Sequence, residues 1–123
     1  MVPALRLRGW IAPGPSAKVR LVSAGGRPFT VTVDTGFTEA LALPMGQIRK
    51  LGFRGPVGHQ PCLLGDGSTS QFPVFAGRIR WFGKHCDVLA FASPSDEGLL
   101  GMDLLQGMRL IVQDGLEKVK LGL

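Results

Sequence analysis

The sequence has no tyrosine, and only two cysteines, two histidines and two tryptophans among its 123 residues. Two cysteines make no disulfide framework. The stretch Met1-Val2-Pro3-Ala4-Leu5-Arg6-Leu7-Arg8 lacks the apolar block of a signal peptide. Cys62 and Cys86 are therefore expected to be buried free thiols. Neither has metal-ligand spacing with His59 or His85. His85 and Cys86 are adjacent, so in a strand they face opposite sides. No metal is expected. No apolar run reaches the length that spans a bilayer, so no membrane partner is expected and the simplest placement is cytoplasmic.

Acidic residues are also scarce, nine against fourteen basic ones, giving a net charge of +5. A basic balance can signal nucleic acid or an anionic membrane. Here no basic run exceeds two residues, the pattern of solvated outer faces of alternating strands. A barrel that binds nucleic acid would interleave its cations with exposed aromatics. The lack of tyrosine and the apolar setting of most phenylalanines argue against that, and no nucleic-acid partner is expected. No Ser-His-Asp or Cys-His arrangement stands out for nucleophilic catalysis, and His59 lies in a Gly-Pro-rich stretch.

What remains is ordinary globular material: 45% hydrophobic and 19% charged residues, with Gly 18 and Pro 9 scattered through the chain. The length fits a single domain over residues 1–123. Strands are expected at 2–12, 18–23, 28–34 and 40–43, with a hairpin turn at Ala24-Gly25-Gly26-Arg27. A short helix is expected at 44–51, with Pro44 at its first position and Gly52 past its end. Two extended arms, 57–65 and 68–82, flank Gly65-Asp66-Gly67. A buried strand at 85–92, a loop from Ser93 to Gly98 and a helix at 103–107 follow. A strand at 108–113, a turn at Asp114-Gly115 and a strand at 116–121 close the chain. Many short strands with regular turns suggest a mostly β, small closed barrel with one or two short helices.

Within this frame a β-branched run, Thr30-Val31-Thr32-Val33, delivers a carboxylate onto a turn, Asp34-Thr35-Gly36-Phe37. Much later comes Leu99-Leu100-Gly101-Met102-Asp103-Leu104-Leu105. Taken alone, Asp34 could simply end a strand and cap its turn. The two motifs in this order resemble those of the retropepsin-like (retroviral-type, clan AA) aspartic proteases. Phe37 after Asp-Thr-Gly is similar to a group of short prokaryotic members. The resemblance follows the order of elements along nearly the whole chain, but only 34–36 and 99–105 are specific.

The resemblance implies an aspartic endopeptidase. Such enzymes need two aspartates, and this chain carries one such motif, so it also implies a homodimer acting on a peptide or protein substrate, with no cofactor. Asp34, Thr35 and Gly36 would be the catalytic motif. Asp34 supplies a carboxylate, Thr35 locks the two active-site loops together, and Gly36 lets the backbone turn tightly. Leu99, Leu100 and Gly101 would support the loop from beneath. Gly65, Asp66 and Gly67 would form the tip of a flap, although the same residues also read as an ordinary hairpin turn. Nearby, Phe72 and Phe75 line subsites or pack the core, with packing favoured for Phe75.

Three positions depart from the family pattern. Phe37 stands where a small residue is usual, and would reshape the substrate subsites. Met102 and Thr38 occupy the places of an Arg–acid ion pair common in the retroviral enzymes. An alternative keeps the fold but not the catalysis: a dimeric peptide-binding module. Asp103, following Gly101-Met102, is expected to cap the helix it opens, and Asp66 and Asp114 are expected in turns.

Overall fold

A computed structural model describes residues 6–63, 65–113 and 118–122. The Asp114-Gly115 turn and the ends of the first and last expected strands lie outside the described residues, as does the Cys62 side chain.

The chain opens with β1 (Arg6–Ala12), β2 (Ser16–Ser23) and β3 (Pro28–Val33), an antiparallel meander. Along β2, Val19, Leu21 and Ser23 are buried while Arg20 is exposed. This period of two is what a sheet with one solvated face requires. The turn after β2 is closed by Ser23, whose N–H donates to the Arg27 carbonyl at 2.8 Å and whose Oγ accepts from the Arg27 N–H at 3.1 Å.

After the Asp34 loop come β4 (Leu41–Pro44) and helix α1 (Met45–Lys50). Pro44 is the residue before the helix, one place earlier than its sequence predicts, because it is still paired to Ser93 in the sheet. Gly52 follows the helix with φ +77, the left-handed conformation that glycine adopts without penalty. A long hairpin, β5 (Arg54–Leu63) and β6 (Thr69–Trp81), projects next, followed by β7 (Lys84–Ser93). β5 starts three residues before the expected 57, because a register shift between Arg54 and Gly58 lets pairing resume.

The two-residue strand β8 (Leu99–Leu100) runs parallel to β3 and antiparallel to β4. Helix α2 spans Met102–Leu105, shorter than the expected 103–107. β9 (Arg109–Gln113) and β10 (Lys118–Gly122) then return beside β1. The pairings run β5-β6-β7-β4-β8-β3-β2-β1-β10-β9, and an extra β6–β2 contact at Val22↔Arg80 and Ser23↔Ile79 closes six of these strands into a ring. The mostly β fold is therefore a sheet closed on itself through β6 and β2, with the β5–β6 hairpin extending from one side and β1, β10 and β9 from the other.

Inside the ring lie Val19, Leu21, Val31, Leu41, Leu43 and Leu100, all buried, with Phe75 among them as packing predicts. Cys86 is a half-buried free thiol against this core. A smaller cluster of Ala42, Val74 and Phe91 sits apart, with Phe37, Phe72 and Leu99 packed on it. Among the described residues no helix is long and apolar enough to cross a membrane.

Candidate active site

Asp34 follows directly on β3, and its backbone is fixed before its side chain is considered. Its N–H donates to the Leu100 carbonyl at 2.9 Å, and the Phe37 N–H returns to the Asp34 carbonyl at 3.1 Å. The carboxylate is held as well: the Gly36 N–H donates to Asp34 Oδ1 at 2.9 Å. A tight Thr35-Gly36 turn makes that last contact possible, because it brings an amide back onto the side chain two residues earlier. Asp34 is half-buried, and Thr35 and Gly36 are exposed at the tip of the loop.

The far side of the loop is clamped by the second motif. The Gly101 N–H donates to the Ala40 carbonyl at 2.9 Å, and the Met102 N–H to the Phe37 carbonyl at 2.7 Å. Gly101 is required by contact rather than by dihedral. A Cβ there would fall inside the Glu39 carbonyl oxygen and 2.6 Å from both the Phe37 carbonyl oxygen and its ring. Leu100 is fully buried beneath the loop, and Leu99 is half-buried against the smaller cluster. The structure thus brings 34–37 and 99–102 together, although they lie more than sixty residues apart in the sequence.

Phe37 turns its ring onto Phe91, with centroids 6.0 Å apart and planes at 80°. This edge-to-face contact is a favourable aromatic geometry. Phe72, on the β5–β6 hairpin, packs on the same cluster. The bulky residue after the glycine therefore joins the loop to β7 and to the cluster that Phe72 shares.

Gly65, Asp66, Gly67 and Ser68 are all exposed at the hairpin tip, between Leu63 and Thr69, which pair with each other. Gly67 has φ +87, so the turn uses the freedom of that glycine. Asp66 Oδ1 accepts from both the Ser68 hydroxyl and the Ser68 N–H, which draws the Asp66 carboxyl below its ordinary value of 3.8. A carboxyl with a lowered pKa keeps its contacts above the ordinary value and loses them as pH falls through the lowered one. The Ser68 amide is expected to titrate with a midpoint below 3.8 in an NMR pH series; a midpoint at or above that value would mean the tie is not formed.

Asp103 does not cap α2. Gly101 occupies the cap position, and no side chain bonds the free amides there. Asp103 sits one residue inside the helix, and its own N–H reaches the Glu39 carbonyl at 3.4 Å. The reason is the clamp, which commits the backbone at 101–103 to the loop at 37–40. A tie with no sequence signal lies just before the site: Lys18 Nζ donates to Thr32 Oγ1 at 2.6 Å and pairs with Glu97 at 2.7 Å. It fastens the loop before Leu99 to the strand that carries Asp34. Two alternating strands present Lys18 and Thr32 on one face, but only their register makes them neighbours. Among the described residues, no three His, Cys, Asp or Glu side chains converge as they would around a metal ion.

The architecture matches that of a retropepsin-like aspartic protease from Rickettsia conorii with a TM-score of 0.71 at 17% identity, covering 94% of this chain and 89% of that one. The fold is retropepsin-like. A foamy viral protease–reverse transcriptase, solved in complex with an RNA/DNA hybrid, matches with a TM-score of 0.51 at 15% identity, over 90% of this chain and 13% of that much longer one. No family model matches the sequence, and neither does any curated protein. At these identities the likeness is one of fold.

Proposed function

We propose that this protein is a homodimeric aspartic endopeptidase, a single domain in which each chain contributes Asp34 to a shared dyad. The observation that carries the reading is the Asp34 loop: one half-buried carboxylate, braced by the Gly36 amide and by Leu100, beneath an exposed Thr35-Gly36 tip. Two carboxylates brought into contact share a proton, because both cannot ionise together, and aspartic-protease dyads are the standard instance. The ionised member takes a proton from a water held between them. That oxygen bonds to the peptide carbonyl carbon while the protonated member donates to the carbonyl oxygen. Collapse of the tetrahedral intermediate then breaks the C–N bond, and the amine leaves with a proton returned from the dyad.

Two further features support a dimer with a peptide in its cleft. β9 is an edge strand with Ile111 and Val112 exposed at 38% and 48%. Val112 lines the same shallow groove as Thr32 and Val33, just before Asp34. An open edge beside the site suits two-fold pairing of identical chains. On the hairpin, Val57 and Leu63 are exposed at 58% and 78%, apolar surface that a bound peptide would cover. Phe37 packs on Phe91, which favours a working cleft over one blocked by that ring.

The test is sedimentation together with hydrolysis of an unstructured protein from acid to neutral pH. A persistently monomeric protein that still cleaves would contradict the shared site. Thr35, exposed at the loop tip, is assigned to the lock between loops. Thr35→Ala is expected to weaken dimerisation about tenfold, the worth of two hydrogen bonds per dimer, with the melting temperature of the monomer unchanged. An unchanged dimer constant would remove Thr35 from the interface.

A further inference from the structure

The cations that are scattered along the sequence are gathered by the register onto one face. In β1, Arg6, Arg8 and Trp10 are exposed and alternate with half-buried Leu7, Gly9 and Ile11. Arg8 stands opposite Lys120, and Trp10 stands opposite Lys118 on one side and Lys18 on the other. Arg20 lies on the same outer face of β2, its guanidinium 5.9 Å from the Trp10 ring centroid. A notch of about 260 Å³ continues the face, lined by Arg6, Arg20, Arg80, Trp81 and Phe82. Arg8, Lys118 and Lys120 line a second hollow of about 200 Å³.

Phe82 adds a separate sign. It has φ +50, a conformation that costs a bulky residue of order 1 kcal/mol and that glycine or asparagine would adopt more easily in such a turn. Its ring stands edge-on to Trp81 with centroids 4.8 Å apart. An aromatic pair is thus held at the rim of a notch lined by three arginines.

Like charges directly opposite in a sheet repel, as Arg8 and Lys120 must. Among the described residues the ion pairs are Lys18–Glu97 and Arg78–Asp87, so no described carboxylate neutralises Arg6, Arg8, Arg20 or Lys120. The face is complementary to a polyanion. Trp10 decides which kind. It lies in mid-strand opposite Lys118 and beside Arg8 and Arg20, so pushing its ring into a lipid layer would drag those cations with it. A nucleobase can stack on the ring while its phosphates reach the flanking cations.

We propose that the outer face of β10, β1 and β2, with the Arg80-Trp81-Phe82 notch, binds single-stranded nucleic acid without sequence preference. The exposed ring for stacking is Trp10, while Trp81 and Phe82 pack partly buried against the core and line the notch among the arginines, a grouping that only the fold makes. The surface is separate from the Asp34 loop, and the proposal does not depend on catalysis.

The test is fluorescence anisotropy of the full chain with a labelled oligothymidylate of about 20 nucleotides, and with its RNA counterpart. Binding is expected for both, weakening about 100-fold between about 50 and about 200 mM salt, as about five phosphate contacts require. Trp10→Ala should weaken binding about tenfold with the salt slope unchanged. The double variant Arg8→Gln, Lys120→Gln should lower the slope by about 1.4. Arg49→Gln with Lys50→Gln removes the same charge from α1 and should leave affinity within about twofold, since those residues lie off this face. Thermal melts confirm that each variant is folded, and the double variant carries the test if Trp10→Ala is not. The proposal is overturned if neither oligonucleotide binds at low salt, or if the α1 variant weakens binding as much as the β1–β10 variant. It is equally overturned if polyglutamate competes as well as the oligonucleotide, or if phosphatidylserine vesicles bind where the oligonucleotide does not.

Discussion

Asp34→Asn is expected to lower peptide hydrolysis by about 10⁴-fold or more while the fold and the dimer persist. The amide keeps the shape of the side chain, and its oxygen can still accept from the Gly36 N–H, the contact made at 2.9 Å in the parent. What disappears is the charge that takes a proton from water and the acid that returns one. In the proposed shared site, one substitution removes both carboxylates of the dimer. A mixed dimer of one parent and one substituted chain should also be nearly inactive, since base and acid roles need a carboxylate on each side. Hydrolysis measured on purified homodimers and mixed dimers checks this. Parent-like cleavage by the substituted homodimer would place the activity elsewhere. A dimeric parent that cleaves nothing at any pH would favour the peptide-binding module.

Gly101→Ala is expected to destabilise the chain by about 3 kcal/mol or more, a fall in melting temperature of about 10 °C or more. The added methyl would meet carbonyl oxygens of Glu39 and Phe37 rather than the free end of a side chain. Those atoms belong to the loop that carries the Asp34 site, and the Phe37 carbonyl already accepts from the Met102 N–H at 2.7 Å. Relief requires prising 37–40 away from 101–103. Activity should therefore be lost even below the melting transition, unlike a substitution at a remote core position. Thermal melts alongside hydrolysis at a low temperature read the two effects separately. A variant with parent stability would mean the clamp is looser than its geometry.

The difference between these two residues shows what the sequence carries and what it does not. Asp34-Thr35-Gly36 and Leu99-Leu100-Gly101 are legible as a pair in that order, through their resemblance to the retropepsin-like motifs, whereas Asp34 taken alone reads equally as a turn cap. The strands that frame them follow from alternation and turn residues, with ends displaced by one to three residues where pairing overrides propensity, as at Pro44 and Arg54. The helix after Gly101 is shortened, and Asp103 is not its cap, because the backbone there serves the loop. Ties that depend on register are invisible beforehand. Lys18 with Thr32 and Glu97 is one. The gathering of Arg8, Lys120, Trp10 and Arg20 on one face is another. The sequence presents Phe37 as a subsite residue, and its contact with Phe91 lies between elements separated by more than fifty residues.

The most direct test of the shared dyad is the distance between the two Asp34 carboxylates in a crystal of the protein assembled with a peptide-like transition-state analogue. A two-fold axis through the loops after β3 is expected, with the carboxylates about 3 Å apart and the analogue's hydroxyl between them. A dimer that binds the analogue with its Asp34 carboxylates too far apart to share a proton would contradict the shared dyad.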